Sequence, residues 1–253
     1  MMAAMINLLT PPITPPAQLV KALREHGYAA LDPAGLRALT EAPAEALAAL
    51  RTEWNSLPPD TYLRDGGRYR RRRHASFVVD GATVTQVPHR AHWQPLEYNA
   101  LHGGLERWFE PIQPGVTAKP VWTQLLRGLS GVCSALTGAQ PWYVEAHQFR
   151  IDTTDGIGRP TPEGAHRDGV DFVAVLLVER SGVKGGETRV FEADGPTGQR
   201  FAMPEPWTPL LIDDERVIHE STPIQPIAYE GHRDTLVLTF RHGGFQDPLP
   251  PGR

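Results

Sequence analysis

The stretch EGAHRDGVDFVAVLLVER, residues 163–180, joins two ionisable side chains to a long apolar run. The run VDFVAVLLVE has the length and composition of a buried strand, and His166 and Asp168 stand at its mouth. Side chains at positions i and i+2 of a strand point to the same face. Burying both groups without partners is costly, and a divalent metal is one partner that would compensate. A surface turn leading into a strand is the other interpretation of this pair taken alone.

Short segments with the composition of strands occupy the second half of the chain. They are rich in β-branched and aromatic residues, and Gly, Pro, Asp and Ser separate them: WYVEAHQFRI, VDFVAVLLVE, ETRVFEA, TPLLIDD, RVIHES and DTLVLTF. This spacing predicts an all-β sandwich or barrel. We therefore expect residues 140–245 to form a β core that contains the metal site.

Helical patterns precede these strands. Residues 15–56 have apolar positions near helical spacing, interrupted by GYAALD as a short strand, and prolines stand where helices could begin. A further helix is predicted over 119–136 from one apolar stripe, with Gly138 as its stop. The order favours a mainly β (α+β) chain in which the N-terminal region 1–60 and a central helix pack on the β core. We expect 1–253 to be a single domain.

Composition excludes several classes of protein. The chain has 253 residues, of which 40% are hydrophobic and 21% charged, so it can bury a core. Its net charge of −4 gives no global attraction to nucleic acid or anionic lipid. The single cysteine, Cys133, excludes an internal disulfide and a multi-cysteine zinc site. No run approaches the roughly 18 apolar residues of a membrane span, and the start is a poor signal peptide. These features predict a cytoplasmic protein with neither nucleic-acid nor membrane partners.

A run of basic residues, RYRRRR at 68–73, would suggest phosphate binding. The acidic net charge and the lack of aromatic residues beyond Tyr69 argue against that interpretation. A solvated or internally paired strand is the preferred prediction. On a strand, Arg68, Arg70 and Arg72 would share a face, and one of them could enter the site.

The third metal ligand is expected further along the chain. His219 lies late in the β region, within RVIHES, and would stand at a strand end. A partly exposed hairpin histidine is the alternative. His232 and His242 are weaker rivals because each adjoins a glycine turn or has less strand around it. Asp171 competes with Asp168, but it is five residues from His166 and would face the opposite side of a regular strand.

A possible anion site follows in GHRDTLVLTFRHG. Arg233 and Thr235 are again two apart on one strand, hence on one face. A guanidinium beside a hydroxyl can bind a carboxylate through a two-pronged contact. The same sequence pattern would also fit an exposed arginine and threonine on an edge strand.

The order His166-x-Asp168, His219, Arg233-x-Thr235 resembles that of the non-haem Fe(II)/2-oxoglutarate-dependent dioxygenases, and more narrowly the bacterial L-isoleucine 4-hydroxylase-like amino-acid hydroxylases. Wider similarity lies in RYRRRRH, QPLEYNALHGGLERWFEPI, EAHQFRI, HRDGVDFV, GGETRVF and RDTLVLTFR. The resemblance implies a double-stranded β-helix (jelly-roll) core that binds Fe(II), 2-oxoglutarate and O2. It implies iron on the triad and the far carboxylate of 2-oxoglutarate on Arg233 and Thr235. It also implies hydroxylation of a free aliphatic or cyclic L-amino acid, of the isoleucine, leucine or pipecolate type, with release of succinate and CO2.

Contacts to the substrate are harder to predict. In EAHQFRI, Gln148 and Arg150 share one face and His147 and Phe149 the other, and alternation leaves open which face is inward. Arg150 is the candidate cation for an amino-acid carboxylate, with a structural salt bridge as its alternative. Thr188, in GGETRVF, is a further candidate. Two rival functions stay open: the same chemistry on a carrier-tethered or larger substrate, and a non-catalytic jelly-roll protein that binds a metal or small acid. The oligomeric state is not predicted.

Overall fold

The computed structural model describes residues 10–227, 229 and 231–248. Two short 3-10 helices occupy Pro16–Gln18 and Arg51–Ser56. The α-helices of the described chain are α1 Leu19–His26, α2 Pro33–Thr40, α3 Ala44–Leu50, α4 Pro114–Thr117 and α5 Pro120–Thr137. The strands are β1 Tyr28–Ala30, β2 Arg70–Asp80, β3 Thr83–Gln86, β4 Trp142–Asp152, β5 Phe172–Ser181, β6 Val183–Gly185, β7 Thr188–Glu192, β8 Gly198–Phe201, β9 Pro209–Asp213, β10 Val217–Ser221, β11 Ile224–Pro226 and β12 His232–Arg241.

Antiparallel sheets dominate the fold. The large sheet has seven strands in the order β1-β9-β5-β12-β4-β2-β3. Two smaller sheets, β10-β7-β8 and β11-β6, complete the β core. This mostly β, antiparallel arrangement matches a jelly-roll core, so the predicted fold class is confirmed.

The central strands of the large sheet separate a helix-covered core from a polar interior. On β4, Trp142, Val144 and Ala146 point to one side and belong to the same buried cluster as Trp122 and Leu129 of α5. Strand geometry sends the intervening residues to the opposite face. On that face the cavity described below opens.

The predicted helices are found close to their expected bounds. Helix α5 covers Pro120–Thr137, and Gly138 follows it with a φ of 101°, a conformation that favours glycine. The region 15–56 contains α1 to α3, and the predicted short strand is β1. Helix α2 begins as its sequence indicates: Pro33 occupies the first turn, and the Asp32 side chain accepts a hydrogen bond from the Gly35 amide at 2.6 Å.

The surroundings of the His-x-Asp pair require a correction. Strand β5 begins only at Phe172, so His166 and Asp168 lie in the loop before it and not at the mouth of a regular strand. A single antiparallel bridge joins His166 to His219. None of the helices within the described ranges has the length and apolarity needed to cross a membrane.

The 3-10 helix at 51–56 anchors the helical layer to the sheet through Trp54. This fully buried indole donates a hydrogen bond from Nε1 to the Thr235 carbonyl at 3.1 Å and meets Trp207 edge-to-face at 6.4 Å. We expect Trp54→Ala to lower the free energy of unfolding by about 3–5 kcal/mol, because it leaves a cavity in the core and removes the hydrogen bond of the indole. Urea unfolding followed by circular dichroism measures this change.

Trp108, whose side chain is 53% exposed, supplies the control for this experiment. Trp108→Ala should change the free energy of unfolding by less than about 1 kcal/mol. A Trp54→Ala protein that unfolds at the wild-type urea concentration would contradict the anchoring role of Trp54.

Candidate active site

A cavity opens on the polar face of the large sheet. Its volume is about 850 Å³, including the open mouth. Strand β4 contributes alternate residues to it, and so does β12. The side chains that line the cavity are Arg70, Arg72, His92, Gln94, Asn99, His102, Arg107, His147, Phe149, Ile151, Pro160, Thr161, Glu163, His166, Asp168, Val175, His219, Ser221, Arg233, Thr235, Val237 and Thr239.

Three of the predicted site residues converge on one wall of this cavity. Nε2 of His166 lies 3.9 Å from Oδ1 of Asp168, and Nε2 of His219 lies 3.7 Å from Oδ2. The bridge between the two histidines explains their proximity, because their amides exchange hydrogen bonds with the opposite carbonyls at 3.1 and 2.9 Å. One potential ligand atom from each side chain lies within 4.8 Å of the other two.

The two imidazoles differ in their protonation. Nδ1 of His166 donates to the Gly164 carbonyl at 2.9 Å, so Nε2, which faces Asp168, is the atom available to a metal. Burial lowers the pKa of His166, but the charges of Asp168 and Glu163 outweigh it and raise this pKa above its usual value, so a metal would take the place of the Nε2 proton. Burial, with a contribution from His166, holds the pKa of His219 well below its usual value and keeps that ring neutral.

The loop that carries Asp168 is held from two sides. The Asp214 carboxylate accepts hydrogen bonds from the amides of Asp168, Gly169 and Val170 at 2.7–3.1 Å. Burial, followed by the charge of Asp168, raises the pKa of Asp214 to about 7. On the other side, the Gln246 amide group donates to the carbonyls of Asp168 and Gly169. These contacts fix the backbone of a loop that belongs to no sheet ladder.

Arg233 and Thr235 face the same cavity from β12. Arg233 is 3% exposed, and its Nη2 atom has no hydrogen-bond partner among the residues that the structure describes. Burial and, after it, the neighbouring cation Arg180 together lower the pKa of Arg233 to about 10. A buried guanidinium without a partner for this N–H group is suited to bind an anion.

A second polar cluster lies along the cavity wall: His74, His92, Glu145 and His147. Nε2 of His74 and Nδ1 of His92 each lie 3.1 Å from the Glu145 carboxylate, and Arg90 pairs with it at 3.2 Å. All four members are buried, and their donor atoms are close enough to hold a metal ion. Three members of this cluster, His74, His92 and Glu145, were not predicted from the sequence, although the alternation Glu145-x-His147-x-Phe149 within β4 indicates a polar face.

The three predicted substrate contacts lie elsewhere, which corrects the sequence analysis. Arg150 is on the helix-facing side of β4, where its Nε and Nη2 atoms bind the Asp234 carboxylate at 2.8 and 2.7 Å. Arg150 therefore forms a structural salt bridge, which was the alternative prediction for this residue. Gln148 shares that face and does not line the cavity. Thr188 is buried on β7 opposite Ser221, outside the lining residues.

Other competing residues also lie outside the cavity. His242 is exposed, and its Nδ1 lies 2.8 Å from the Asp171 carboxylate. His232 lies beside Glu179 and Asp234, on the same side of the sheet as Arg150.

The arginine run divides between the surface and the cavity. Arg68 pairs with Asp155 at the surface, whereas Arg70 and Arg72 are buried and line the cavity.

A family model described as 2OG-Fe dioxygenase matches residues 51–239, and the chain belongs to this family. It is accordingly a dioxygenase of a family that uses Fe(II), 2-oxoglutarate and O2. Among curated proteins, none matches the sequence significantly.

Several solved structures have a similar fold. A bsmA homolog from Methylobium petroleophilum is 52% identical, with a TM-score of 0.89 over 95% of this chain and 98% of that chain. IDO from Bacillus thuringiensis is 16% identical, with a TM-score of 0.73 over 91% of this chain and 97% of that one. The Fe(II)/(alpha)ketoglutarate-dependent dioxygenase TqaL is 18% identical, with a TM-score of 0.68 over 89% and 86%. The last two similarities concern the fold alone.

Proposed function

We propose that this dioxygenase hydroxylates an unactivated C–H bond of a free aliphatic or cyclic L-amino acid. In this proposal His166, Asp168 and His219 bind the iron. Arg233 and Thr235 bind the far carboxylate of 2-oxoglutarate. The observation that carries the proposal is that one cavity contains both the converging ligand atoms and a buried arginine, one of whose N–H groups has no hydrogen-bond partner among the described residues.

The donor set fits ferrous iron. Two neutral imidazoles and one carboxylate are the facial ligands typical of non-haem Fe(II) oxygenases, and they leave coordination positions open. His166 presents its Nε2 atom, because Nδ1 is bound to the Gly164 carbonyl, and Gln94 donates to Oδ1 of Asp168 at 3.1 Å, which orients the carboxylate. When bound, the iron would couple the decarboxylation of 2-oxoglutarate to the oxidation of the substrate.

The lining also suits a small zwitterion. Glu163 lies in the cavity, and its Oε2 atom is buried without a hydrogen-bond partner within the described ranges, so it can accept from an ammonium group. Phe149, Pro160 and Val175 offer apolar surface to an aliphatic side chain. A carrier-tethered substrate could also place its terminal residue in this cavity. Activity on free amino acids therefore distinguishes a free amino-acid substrate from a carrier-tethered one.

We expect His166→Ala, Asp168→Ala and His219→Ala each to weaken Fe(II) binding by more than about 100-fold, because a three-ligand site has no spare donor. Anaerobic calorimetry measures the Fe(II) affinity, and succinate release measures turnover. His242→Ala is the matched control, since its imidazole lies at the surface, and it should bind iron normally. Near-normal affinity and turnover in any one triad variant would show that the triad is assigned incorrectly.

We expect Arg233→Ala to weaken 2-oxoglutarate binding by about 2–5 kcal/mol, because a buried carboxylate loses its charged partner. Thr235→Val should cost about 1 kcal/mol, the value of one neutral donor. The measurement is the dissociation constant of 2-oxoglutarate from the Fe(II) protein without O2. Arg241→Ala is the control, since its Nη1 binds the Gly244 carbonyl at 2.7 Å. If Arg233→Ala binds 2-oxoglutarate normally and Arg241→Ala binds it more weakly, the cosubstrate site lies at Arg241 and not at Arg233.

We expect L-isoleucine, L-leucine or L-pipecolate to stimulate succinate release and to gain one oxygen atom, as detected by mass spectrometry. The reason is the joint presence of cationic, acidic and apolar surface around the proposed iron site. Catalytically inactive Asp168→Ala protein is the control for non-enzymatic oxidation. If 2-oxoglutarate is consumed slowly but no free amino acid accelerates its consumption, the substrate belongs to another class.

A further inference from the structure

We propose that Arg72 and Arg107, with Arg70 beside them, form a second anion site that binds the carboxylate of the primary substrate. The proposal rests on the proposed function in one respect, namely that the substrate is an amino acid oxidised at this iron site. It replaces Arg150 as the carboxylate partner.

The strand register separates this site from Arg233. Strand β4 pairs with β12 on one side and with β2 on the other, so Arg233 and Arg70 both stand opposite Ile151. In the next cross-strand row, Thr235 and Arg72 both stand opposite Phe149. The two rows place the cations two strand spacings apart, which is roughly 10 Å of backbone separation. The cavity therefore has one anion site on β12 and another on β2, with apolar side chains of β4 between them.

The three guanidinium groups are buried and incompletely partnered. Arg70, Arg72 and Arg107 are 5%, 4% and 2% exposed. Within the part of the chain that the structure describes, each retains one buried N–H without a hydrogen-bond partner: Nη2 of Arg70, Nε of Arg72 and Nε of Arg107. Such groups are costly to leave unsatisfied, and a bound carboxylate can accept from several of them at once.

The three arginines also form few direct ion pairs. Asp60 is the carboxylate in contact with this group, with Oδ2 at 2.7 Å from Nε of Arg70 and 3.8 Å from Nη1 of Arg72. Arg107 forms its side-chain hydrogen bond with a neutral amide, that of Gln94, at 2.8 Å. Burial, followed by the charge of Arg70, lowers the pKa of Arg107 to about 10, so it stays protonated at neutral pH. Within the described residues Asp60 alone forms ion pairs with these three cations, while the charges of Glu163 and Glu145 act on Arg107 from beyond ion-pair contact. A substrate carboxylate would supply the contact partner that the remaining N–H groups lack.

The site is rigid before any ligand arrives. The guanidinium of Arg72 lies 3.6 Å from the ring centroid of Phe109 and 4.4 Å from that of Phe149. Its Nη2 atom also donates to Nδ1 of His147 at 2.7 Å. A side chain fixed by two rings and a hydrogen bond loses little conformational freedom when it binds an anion.

Gln94 connects the proposed anion site to the proposed iron site. Its amide oxygen accepts from Arg107 at 2.8 Å, while its amide nitrogen donates to Oδ1 of Asp168 at 3.1 Å. Asn99 donates to the same amide oxygen at 3.1 Å and holds the amide in this orientation. A carboxylate bound at Arg107 would therefore lie at a fixed distance from the iron ligand Asp168. This arrangement would select which carbon of the substrate lies next to the metal.

The test uses matched pairs of probes: L-isoleucine, L-leucine and L-pipecolate, each with its primary amide. Binding is measured by anaerobic calorimetry on the protein loaded with Fe(II) and 2-oxoglutarate. We expect at least one acid to bind wild-type protein at least about 30-fold more tightly than its amide, the factor that follows from losing charge-assisted hydrogen bonds. In Arg72→Met and Arg107→Met the ratio should fall to about 3-fold or less.

Two further variants act as controls. Arg150→Met removes a partly exposed, paired arginine from outside the cavity and should keep the wild-type ratio of acid to amide binding. Arg107→Lys retains a charge and should keep part of the preference. Circular dichroism checks that each variant folds. The ratio of acid to amide binding in wild-type protein tests the proposal even if a variant does not fold.

Each outcome decides the proposal. An equal affinity for acid and amide in wild-type protein overturns it, and so does a ratio that survives both methionine variants. Failure of all three acids to bind, while 2-oxoglutarate binds, also overturns it. Hydroxylation of an acid whose amide binds equally well would leave the proposed function standing without this anion site. Binding that requires the carboxylate, but without hydroxylation, would support the site and contradict the proposed reaction.

Discussion

The site depends on one constraint, the double pairing of strand β4. Because β12 and β2 are both antiparallel to β4 and in register with it, side chains line up in rows across three strands: Arg233, Ile151 and Arg70; Thr235, Phe149 and Arg72; Val237, His147 and His74; Thr239, Glu145 and Ser76. A shift of one residue in either pairing would send one member of every row to the helix-covered face. The apolar residues of the same strands prevent that shift, since Val144, Ala146 and Leu238 would then leave the core.

The polar rows can be buried because their charges are compensated within the wall. Burial alone would raise the pKa of Glu145, but His92 and His74 lower it, and Arg90 pairs with the carboxylate. The two imidazoles stay neutral, because burial lowers the pKa of His74 and lowers that of His92 to about 4. Each can therefore donate one hydrogen bond to the anion. This cluster joins β2 and β4 to the segment around residue 92, and thus supports the wall that carries Arg72 and Arg107.

Sequence alone was sufficient for features that depend on local pattern or on chain order. The apolar stripe of α5 and the strand β5 were predicted without knowledge of strand pairing. Chain order selected His166, Asp168 and His219, whose potential ligand atoms lie within 4.8 Å of one another. The inward face of β4 did need it. Glu145, His147 and Phe149 on one face, and Gln148 and Arg150 on the other, are both partly polar, so hydrophobic alternation could not choose between them. The choice depends on Asp234, which lies opposite Arg150 on β12 and binds it.

The proximity of the triad residues has a different origin from the one that the spacing suggested. Two residues of a regular strand share a face, but His166 and Asp168 belong to a loop, where this rule does not apply. Their positions are fixed instead by the bridge to His219 and by the Asp214 carboxylate, which binds three consecutive amides of the loop. Asp214 directly follows β9, a strand of the large sheet. The large sheet therefore positions both walls of the cavity: directly through the arginines of β2 and β12, and indirectly through Asp214 for the loop that carries the proposed iron ligands.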